Sequence, residues 1–283
     1  MRDDSSTYVV QERKYKKDEL TRLTIQDQIL TTAMGGVLAE QTDPTVFRHV
    51  LDIACGTGGW LIKAAQTYPT IEKLVGIDIS QQMIKYSQTQ AEADQLNERV
   101  EFHVMDALQT LDFPAASFDL VNLRLGQSFL RTWDWPKVLA GLHQIIHPGG
   151  VIRITESEVA IQSNSPALTR LFKDLQCALF RASRLFEEES AGLTNHLPRL
   201  LNQCGYKAVQ KKAHAMEYRA GTPEGEAHYE DVKLAFQTLR PFIEKRGCAS
   251  QDYGATYRRA LNEMRQPDFC ATWNILTAWG NKA

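Results

Sequence analysis

Long apolar segments are missing from this sequence. No run of about 18 or more apolar residues occurs, although a membrane-spanning helix needs about 20. The start, Met1-Arg2-Asp3-Asp4-Ser5-Ser6, is polar and has no apolar core of the kind that secretory signals carry. The sequence therefore predicts neither a membrane span nor a secretory leader.

Closely spaced cysteines are also absent. The five cysteines are odd in number and widely spread, and no two of them form a C-x-x-C pair. Zinc sites and disulfide frameworks usually show short cysteine spacings. We therefore expect no disulfide framework, no metal site and a reducing, cytoplasmic environment.

The charge shows no strong excess of either sign. Lys and Arg number 32, Asp and Glu number 34, and the net charge is −2. Without a basic field an obligate nucleic-acid binder is disfavoured, although a local basic patch is compatible with these numbers. The chain has 283 residues, 43% of them hydrophobic, which is enough for one large domain or two small ones.

Short apolar runs alternate with helical patterns from residue 49 onward. Apolar runs at 49–54, 73–79, 100–105, 118–123 and 151–155 predict strands, and the segments between them have helical spacing or capping residues. Buried strands that alternate with helices indicate an α/β fold, a parallel sheet covered on both faces.

The two ends of the chain depart from this alternation. An amphipathic helix from about residue 17 to 34 precedes the first strand and ends at Gly35-Gly36. We expect residues 1–40 to form an N-terminal helical extension or lid, and residues 41–283 to form the main domain. Helices at about 157–187 and 222–266 are predicted to cap the carboxyl edge of the sheet, with further strands at 207–219 and 269–279.

A glycine-rich turn follows the first strand, in the segment Asp52-Ile53-Ala54-Cys55-Gly56-Thr57-Gly58. Glycine lets a backbone approach a ligand closely, and the start of the next helix favours an anionic group. A plain tight turn would have the same local sequence. Asp78 ends the second strand 20 residues after Gly58, where a carboxylate can accept hydrogen bonds from ribose hydroxyls.

Two further elements extend this pattern. Asp106 ends the third strand and can accept a hydrogen bond from an adenine amino group, and His147-Pro148-Gly149-Gly150 precedes the fifth strand. The ordered set in residues 46–156 resembles the class I S-adenosylmethionine-dependent methyltransferases. This resemblance implies a doubly wound, seven-stranded, mostly parallel Rossmann-like sheet with the last strand antiparallel. S-adenosyl-L-methionine would be the cofactor and S-adenosyl-L-homocysteine the product.

The resemblance also implies the cofactor-binding residues. Ala54 stands where the family commonly has glycine, which we expect to be tolerated. The implied residues are Asp52, Ala54, Gly56 and Gly58 at the methionine part, Asp78 at the ribose, Ile79, Met83, Asp106 and Ala107 around the adenine, and Asn122 and Leu123 beneath the sulfonium. Ile79 and Met83 could instead belong only to the core.

The N-terminal segment is similar to that of a subgroup containing bacterial natural-product methyltransferases and fungal regulators of secondary metabolism. The likeness rests on Tyr8, Asp18-Glu19, the run from Arg22 to Gln26, and Met34-Gly35-Gly36. Tyr8, Tyr15, Arg22 and Gln26 could form a lid over the cofactor, or the helix could only pack on the core. A neighbouring subunit could also contribute this segment, which would make the protein a homo-oligomer.

Several polar residues are candidates for the acceptor side. Glu156 follows the fifth strand and could act as a catalytic or substrate-binding group, or lie on the surface as an ordinary carboxylate. Arg124 and Gln127 follow the fourth strand, where Arg124 could bind an acidic substrate or pair with a nearby carboxylate.

The sequence predicts a methyltransferase acting on a small molecule, with a secondary metabolite as the expected acceptor class. A cofactor-binding regulator without turnover remains an alternative, as does a protein or nucleic-acid methyltransferase. The chain has Asn122-Leu123-Arg124-Leu125 where amino-methylating DNA enzymes have an Asn-Pro-Pro-Tyr type loop. Asp106 and the lack of an evident catalytic Tyr-Lys or His pair disfavour an NAD-dependent dehydrogenase. The acceptor atom, O, N or C, is not determined.

Overall fold

A computed structural model of the chain describes residues 16–188 and 192–283. The strands are β1 (His49–Ile53), β2 (Lys73–Asp78), β3 (Val100–Val104), β4 (Phe118–Arg124), β5 (Ile146–Ser163), β6 (Tyr206–Arg219) and β7 (Cys270–Lys282). The helices are α1 (Lys16–Ala33), α2 (Gly59–Thr67), α3 (Gln81–Ala93), α4 (Asp134–Ile145), α5 (Pro166–Arg181), α6 (Leu197–Gln203), α7 (Pro223–Thr238), α8 (Arg240–Lys245) and α9 (Tyr253–Glu263).

The strands form one sheet in the order β3-β2-β1-β4-β5-β7-β6. Pairing is parallel from β3 through β5, whereas β7 runs antiparallel to both β5 and β6. The strand order reverses at β1, and the carboxyl ends of β1 and β4 meet there, which is where open α/β sheets bind their ligands. The predicted seven-stranded, mostly parallel sheet with an antiparallel last strand is confirmed.

Helices cover both faces of the sheet, as the alternating pattern predicts. Trp60 of α2 is fully buried in a core that β1, β2 and α3 share, and Trp135 of α4 is fully buried in a second core with β4, β5 and α6. Burial on both faces explains why the parallel strands read as continuous apolar runs.

The strands β5, β6 and β7 extend beyond the last residues of β4. Arg124 pairs with Thr155, but β5 continues to Ser163 and pairs with β7 as far as Ala271. Residues 157–163 are therefore strand and not helix, because β7 supplies their backbone partners. We use the name cap region for α5, α7, α8 and α9 together with these extended strand ends. These elements share one apolar core with Leu30 and Met34 of α1.

One cysteine expectation is wrong. Cys177 of α5 and Cys248, which follows α8, form a disulfide with their Cα atoms 5.8 Å apart. The two residues are 71 positions apart in sequence, and only the packing of α5 against the α8–α9 segment brings them together. Cys55, Cys204 and Cys270 are free thiols.

Within residues 16–188 and 192–283, no cluster of three or more His, Cys, Asp or Glu side chains is arranged to hold a metal ion. In the same ranges, none of the helices combines the length and apolar character that crossing a membrane requires.

Candidate cofactor and acceptor site

The turn between β1 and α2 uses the left-handed backbone conformation three times. The φ angles are 53° at Ala54, 54° at Gly56 and 75° at Gly58, the residue that caps α2. A Cβ on Gly58 would lie 2.6 Å from the Cβ of Ser87, whereas a Cβ on Gly56 would meet nothing within 4 Å. Gly58 is thus required by packing, and Gly56 leaves open space along the turn.

Asp78 is held against this turn by the backbone. Its Oδ2 accepts a hydrogen bond from the Gly56 amide at 3.0 Å, and its Oδ1 accepts from the Ser80 amide at 2.8 Å. Burial raises the pKa of Asp78 above its ordinary value, although both amide hydrogen bonds oppose the shift. Asp78, the residue predicted to bind the ribose, therefore lies at the end of β2 beside the glycine-rich turn.

The predicted adenine residues lie along the ends of β2 and β3. Ile79 is 47% exposed despite its apolar side chain, and Met83 is half-buried in the first turn of α3. Asp106 and Ala107 are half-buried, and the Asp106 carboxylate accepts from the Leu108 amide at 2.9 Å. The exposed Ile79 side chain and the Asp106 carboxylate thus lie just after β2 and β3, where the resemblance places the adenine.

A chain of polar side chains crosses three neighbouring strands beneath the turn. Asp52 of β1, Asn122 of β4 and Arg153 of β5 are in register and all are buried. Asn122 donates to Asp52 Oδ1 at 2.7 Å, and Arg153 donates to Asn122 Oδ1 at 2.7 Å. Leu123 is also buried but points to the other face of the sheet.

Ion pairs anchor this chain to the N-terminal part of the molecule. Arg153 is bound to Glu40 at 2.8 Å, and Arg124 at the end of β4 is bound to Asp27 of α1 at 2.7 Å. Although burial opposes it, the Arg153 guanidinium lowers the pKa of Glu40. We call Asp27, Glu40, Asp52, Arg124 and Arg153 the buried charge cluster. Arg124 thus pairs with a local carboxylate, as one of the two interpretations from the sequence predicts.

Asp52 is the member of the cluster that has no cation bound directly to it. Burial raises its pKa to about 6, although Arg124 and the hydrogen bond from Asn122 oppose the shift. Its Oδ2 has no hydrogen-bond partner within the described residues. A buried carboxylate oxygen without a partner is costly, so this atom is available to a cationic or hydrogen-bonding group of a ligand.

Gln127 and Glu156 come together on the opposite face of the sheet. Glu156 Oε1 accepts from the Gln127 amide at 3.3 Å, and the Gln127 side chain donates to the Ser157 carbonyl at 3.0 Å. Glu156 is completely buried, which excludes the surface interpretation, and burial raises its pKa to about 8. Glu156 Oε2 and Gln127 Oε1 have no hydrogen-bond partner in the part of the chain that the structure describes.

The lid residues divide into two groups. Tyr8 and Tyr15 lie outside the described residues. Arg22 is buried between α1 and α7, where it is bound to Glu19 at 2.8 Å and lies 3.7 Å from Asp231, so it faces α7 rather than the glycine-rich turn. Gln26 is half-buried on α1, one residue before Asp27, which does reach the site.

Asp27, Glu40 and Arg153 are the polar residues of the site that sequence reasoning missed. Arg153 had a detectable signal, because a charged residue stands inside the apolar run Val151-Ile152-Arg153-Ile154. A buried arginine requires a partner, but nothing in the sequence identifies Glu40, which is 113 residues away.

The polar groups of the site fit a nucleoside cofactor that carries an amino-acid end. Asp78 offers a carboxylate beside the open backbone of Gly56, and Asp52 Oδ2 lacks a protein partner within the described residues. Carboxylates are natural acceptors for ribose hydroxyls and for an ammonium group. The residues present therefore suit S-adenosylmethionine.

Comparison with known proteins agrees with this chemistry. Residues 50–150 match the methyltransferase domain family. Aklanonic acid methyltransferase DauC of Streptomyces sp. (strain C5) is 33% identical over 190 residues, which cover 64% of this chain and 84% of that protein. A demethylmenaquinone methyltransferase of Deinococcus radiodurans is 34% identical over 151 residues, 53% of this chain and 59% of that protein.

The chain spans about half to three fifths of the length of several demethylmenaquinone methyltransferases that it matches. Among solved structures, a similar fold occurs in phosphoethanolamine N-methyltransferase 2 of Haemonchus contortus in complex with phosphomonomethylethanolamine and S-adenosylhomocysteine. The TM-score is 0.53 at 19% identity, over 89% of this chain and 53% of that chain. The chain belongs to the class I S-adenosylmethionine-dependent methyltransferases, a family of enzymes whose cofactor is S-adenosyl-L-methionine.

Proposed function

We propose that this protein transfers a methyl group from S-adenosylmethionine to a small-molecule acceptor of secondary metabolism. The observation that carries the proposal is the edge where Asp78 is bound to the Gly56 amide and Asp52 keeps one oxygen without a partner within the described residues. The 84% coverage of aklanonic acid methyltransferase DauC supports a small-molecule acceptor of that general kind. A net charge of −2 supplies no general attraction for nucleic acid.

The chain's own residues would bind and align the reactants. When bound, the cofactor supplies a methyl group activated by a sulfonium. The turn at Gly56 and Gly58 and the carboxylates of Asp52 and Asp78 would hold the cofactor, and the backbone of Asn122 and Leu123 in β4 would lie beneath the sulfonium. Correct alignment in a water-poor site can lower the barrier by about 7–11 kcal/mol without a catalytic base.

We assign the acceptor side to Gln127 and Glu156. Both are buried, and each keeps an oxygen that has no hydrogen-bond partner in the described part of the chain. Gln127 follows β4, which pairs with the strand that carries Asp52, and Glu156 lies within β5 rather than after it, because β5 continues to Ser163. With a pKa near 8, Glu156 is mostly protonated at neutral pH. It can therefore donate a hydrogen bond to an acceptor oxygen, and it becomes a proton acceptor as the pH rises.

Asp78 provides the direct test of cofactor use. Replacing Asp78 with Ala removes a hydrogen-bonded charge, which is worth about 1.5–3 kcal/mol. Calorimetry should therefore show S-adenosylmethionine affinity lowered about tenfold or more. Asp119→Asn is a matched control, because Asp119 also binds backbone amides, those of Arg48 and His49, but at the opposite end of β1. Unchanged affinity in Asp78→Ala would contradict the assignment.

Turnover is tested with isotope-labelled cofactor. The full chain is incubated with labelled S-adenosylmethionine and small-molecule extract, and mass spectrometry follows the label. A labelled small product that Asp78→Ala does not form supports the proposal. Cofactor binding without any labelled small product would contradict it and favour a cofactor-binding regulator, and label found only on protein or nucleic acid would also contradict it.

A further inference from the structure

Helix α1 brings a carboxylate to the start of α2. Asp27 Oδ1 lies 2.7 Å from Arg124 Nη2 at the end of β4. The other oxygen, Oδ2, occupies the space that a Cβ on Gly59 would need, and Gly59 is the first residue of α2. A helix that precedes the first strand therefore contacts both the start of α2, directly after the glycine-rich turn, and the end of β4 with a single side chain.

The buried charge cluster is not balanced within itself. Glu40 pairs with Arg153, and Asp27 pairs with Arg124. Asp52 is left with an amide hydrogen bond on one oxygen, and its other oxygen has no partner within the described residues. Arg124 Nη1 is likewise buried without a hydrogen-bond partner in these ranges. The cluster thus combines one unmatched carboxylate with one unused guanidinium N–H group.

These two unused groups have opposite charge. A buried polar group without a partner costs about 1–3 kcal/mol. Arg124 is near enough to Asp52 to act on its charge, so a ligand that satisfies both groups must carry a cation and an anion close together. An α-amino acid has this property, because its ammonium and carboxylate are attached to one carbon. A guanidinium donates well to carboxylates, and a carboxylate accepts well from an ammonium.

We propose that Asp27 and Arg124, together with Asp52, bind the α-amino-acid end of the cofactor. Arg124 Nη1 donates to the ligand carboxylate, and the Asp52 and Asp27 carboxylates accept from the ligand ammonium. This assignment rests on the cofactor use proposed above. It makes α1 a source of binding residues, through Asp27 rather than through the residues that the sequence suggested.

Two neutral thioethers isolate this contact. S-adenosylhomocysteine carries the amino-acid end, and 5′-methylthioadenosine has the same nucleoside and sulfur without it. Calorimetry on the full chain should show that Asp27→Asn and Arg124→Lys weaken S-adenosylhomocysteine at least about tenfold. The same variants should change 5′-methylthioadenosine by less than about twofold.

Glu230→Gln is the matched control. It removes one carboxylate from an ion pair with Lys233 at 2.9 Å on α7, far in sequence from the site, and should leave both affinities unchanged. Equal weakening of the two thioethers by Asp27→Asn would overturn the proposal and indicate a structural role. Unchanged S-adenosylhomocysteine affinity in both variants would overturn it as well. If the wild type binds neither thioether, the proposed cofactor use itself is wrong.

Gly59 gives a second, independent test. In Gly59→Ala the new methyl group must displace the Asp27 carboxylate, so S-adenosylhomocysteine should bind several-fold more weakly and 5′-methylthioadenosine should not. In an Asp27→Ala background the carboxylate is gone, and Gly59→Ala should then have no further effect on affinity. Additive effects of the two substitutions would contradict the contact.

Discussion

In the half of the chain that carries the cofactor residues, β1 to α4, the buried atoms Asp52 Oδ2 and Arg124 Nη1 have no partner within the described residues, but both lie in the charge cluster assigned to the cofactor. Asp78 uses both oxygens on backbone amides, and Arg99 donates to the carbonyls of Ala65, Tyr68 and Ile71. The later half, from β5 onward, differs. Glu156 keeps an oxygen without a partner within the described residues, and His228 of α7 is buried with neither ring nitrogen hydrogen-bonded there.

The difference between the two halves indicates where specificity is decided. The match to the methyltransferase domain family covers residues 50–150 and therefore ends near the start of β5. In the first half, Asp78 bonds to backbone amides, and the atoms without a partner in the buried charge cluster, Asp52 Oδ2 and Arg124 Nη1, are the ones assigned to the cofactor. The second half retains buried polar groups that a particular acceptor could satisfy, because each costs free energy while it has no partner.

The largest effect that would test this comparison is expected at Glu156. Its pKa is raised from an ordinary 4.5 to about 8, so the folded state holds a proton that the unfolded state loses. The contribution of Glu156 to the free energy of unfolding is fully present below pH 4.5 and is lost as the pH rises through 8. At about 1.4 kcal/mol per pH unit, the loss reaches at most about 5 kcal/mol by pH 9. Glu156→Gln should remove this part of the pH dependence.

Chemical denaturation of both proteins from pH 5 to pH 9 measures it. The relevant quantity is the change of the wild-type-minus-variant difference with pH, because the glutamine amide adds its own constant cost. A difference that stays flat across this range would mean that Glu156 is ionised in the folded protein and has a partner. Glu156 would then no longer be an example of a buried group without a partner in the second half of the chain.

A smaller effect of opposite sign is expected at His228. It stacks on Tyr218 with ring centroids 3.9 Å apart, and burial lowers its pKa from 6.5 to about 3. The unfolded chain therefore binds the proton first, and stability falls as the pH drops below 6.5. His228→Phe keeps the stacked ring and should remove about 2 kcal/mol of destabilisation at pH 5.

Thermal melting at pH 7 and pH 5 measures the His228 prediction. Asp231, whose pKa burial raises to about 6, is present in both proteins, so its own contribution largely cancels in the comparison. If the melting temperatures of His228→Phe and the wild type fall by the same amount between pH 7 and pH 5, His228 is not a destabilising buried base.

The smallest effect is expected in the first half, at Ala54. Its φ of 53° is left-handed, a conformation that costs an alanine about 1–2 kcal/mol and that glycine adopts freely. Glycine also adds conformational entropy to the unfolded chain, which offsets part of this gain. Ala54→Gly should therefore stabilise the protein by about 0.5–1 kcal/mol. That corresponds to a rise of the melting temperature by about 1–4 °C.

Ala116 is the matched control, since its φ is 52° in a loop before β4. Both glycine variants should be more stable, but only Ala54→Gly should change cofactor affinity, because only Ala54 belongs to the turn. A loss of stability in Ala54→Gly would show that its methyl group contributes packing that outweighs the backbone strain.

The sequence by itself determined the alternation of strands and helices, the glycine-rich turn and the family. Each of these depends on short-range signals: apolar runs, the Gly56 and Gly58 turn, and a carboxylate a fixed distance along the chain. Such patterns can be read because local backbone preference and burial of one face act over a few residues. The end of β5 at Ser163 is not predicted, since the sequence pattern places residues 157–163 in a helix. The residues that pair with this segment lie more than a hundred positions away on β7.

The tertiary structure alone decided which charges meet. Asp27 forms an ion pair with Arg124 because α1 lies across the start of α2. Arg153 likewise pairs with Glu40, and Cys177 forms a disulfide with Cys248. The spacing of charged and polar residues along the sequence does not identify their partners. Each charged side chain could pair with many others of opposite sign. The choice is made when helices pack on the sheet, because burial then makes any charge without a partner costly.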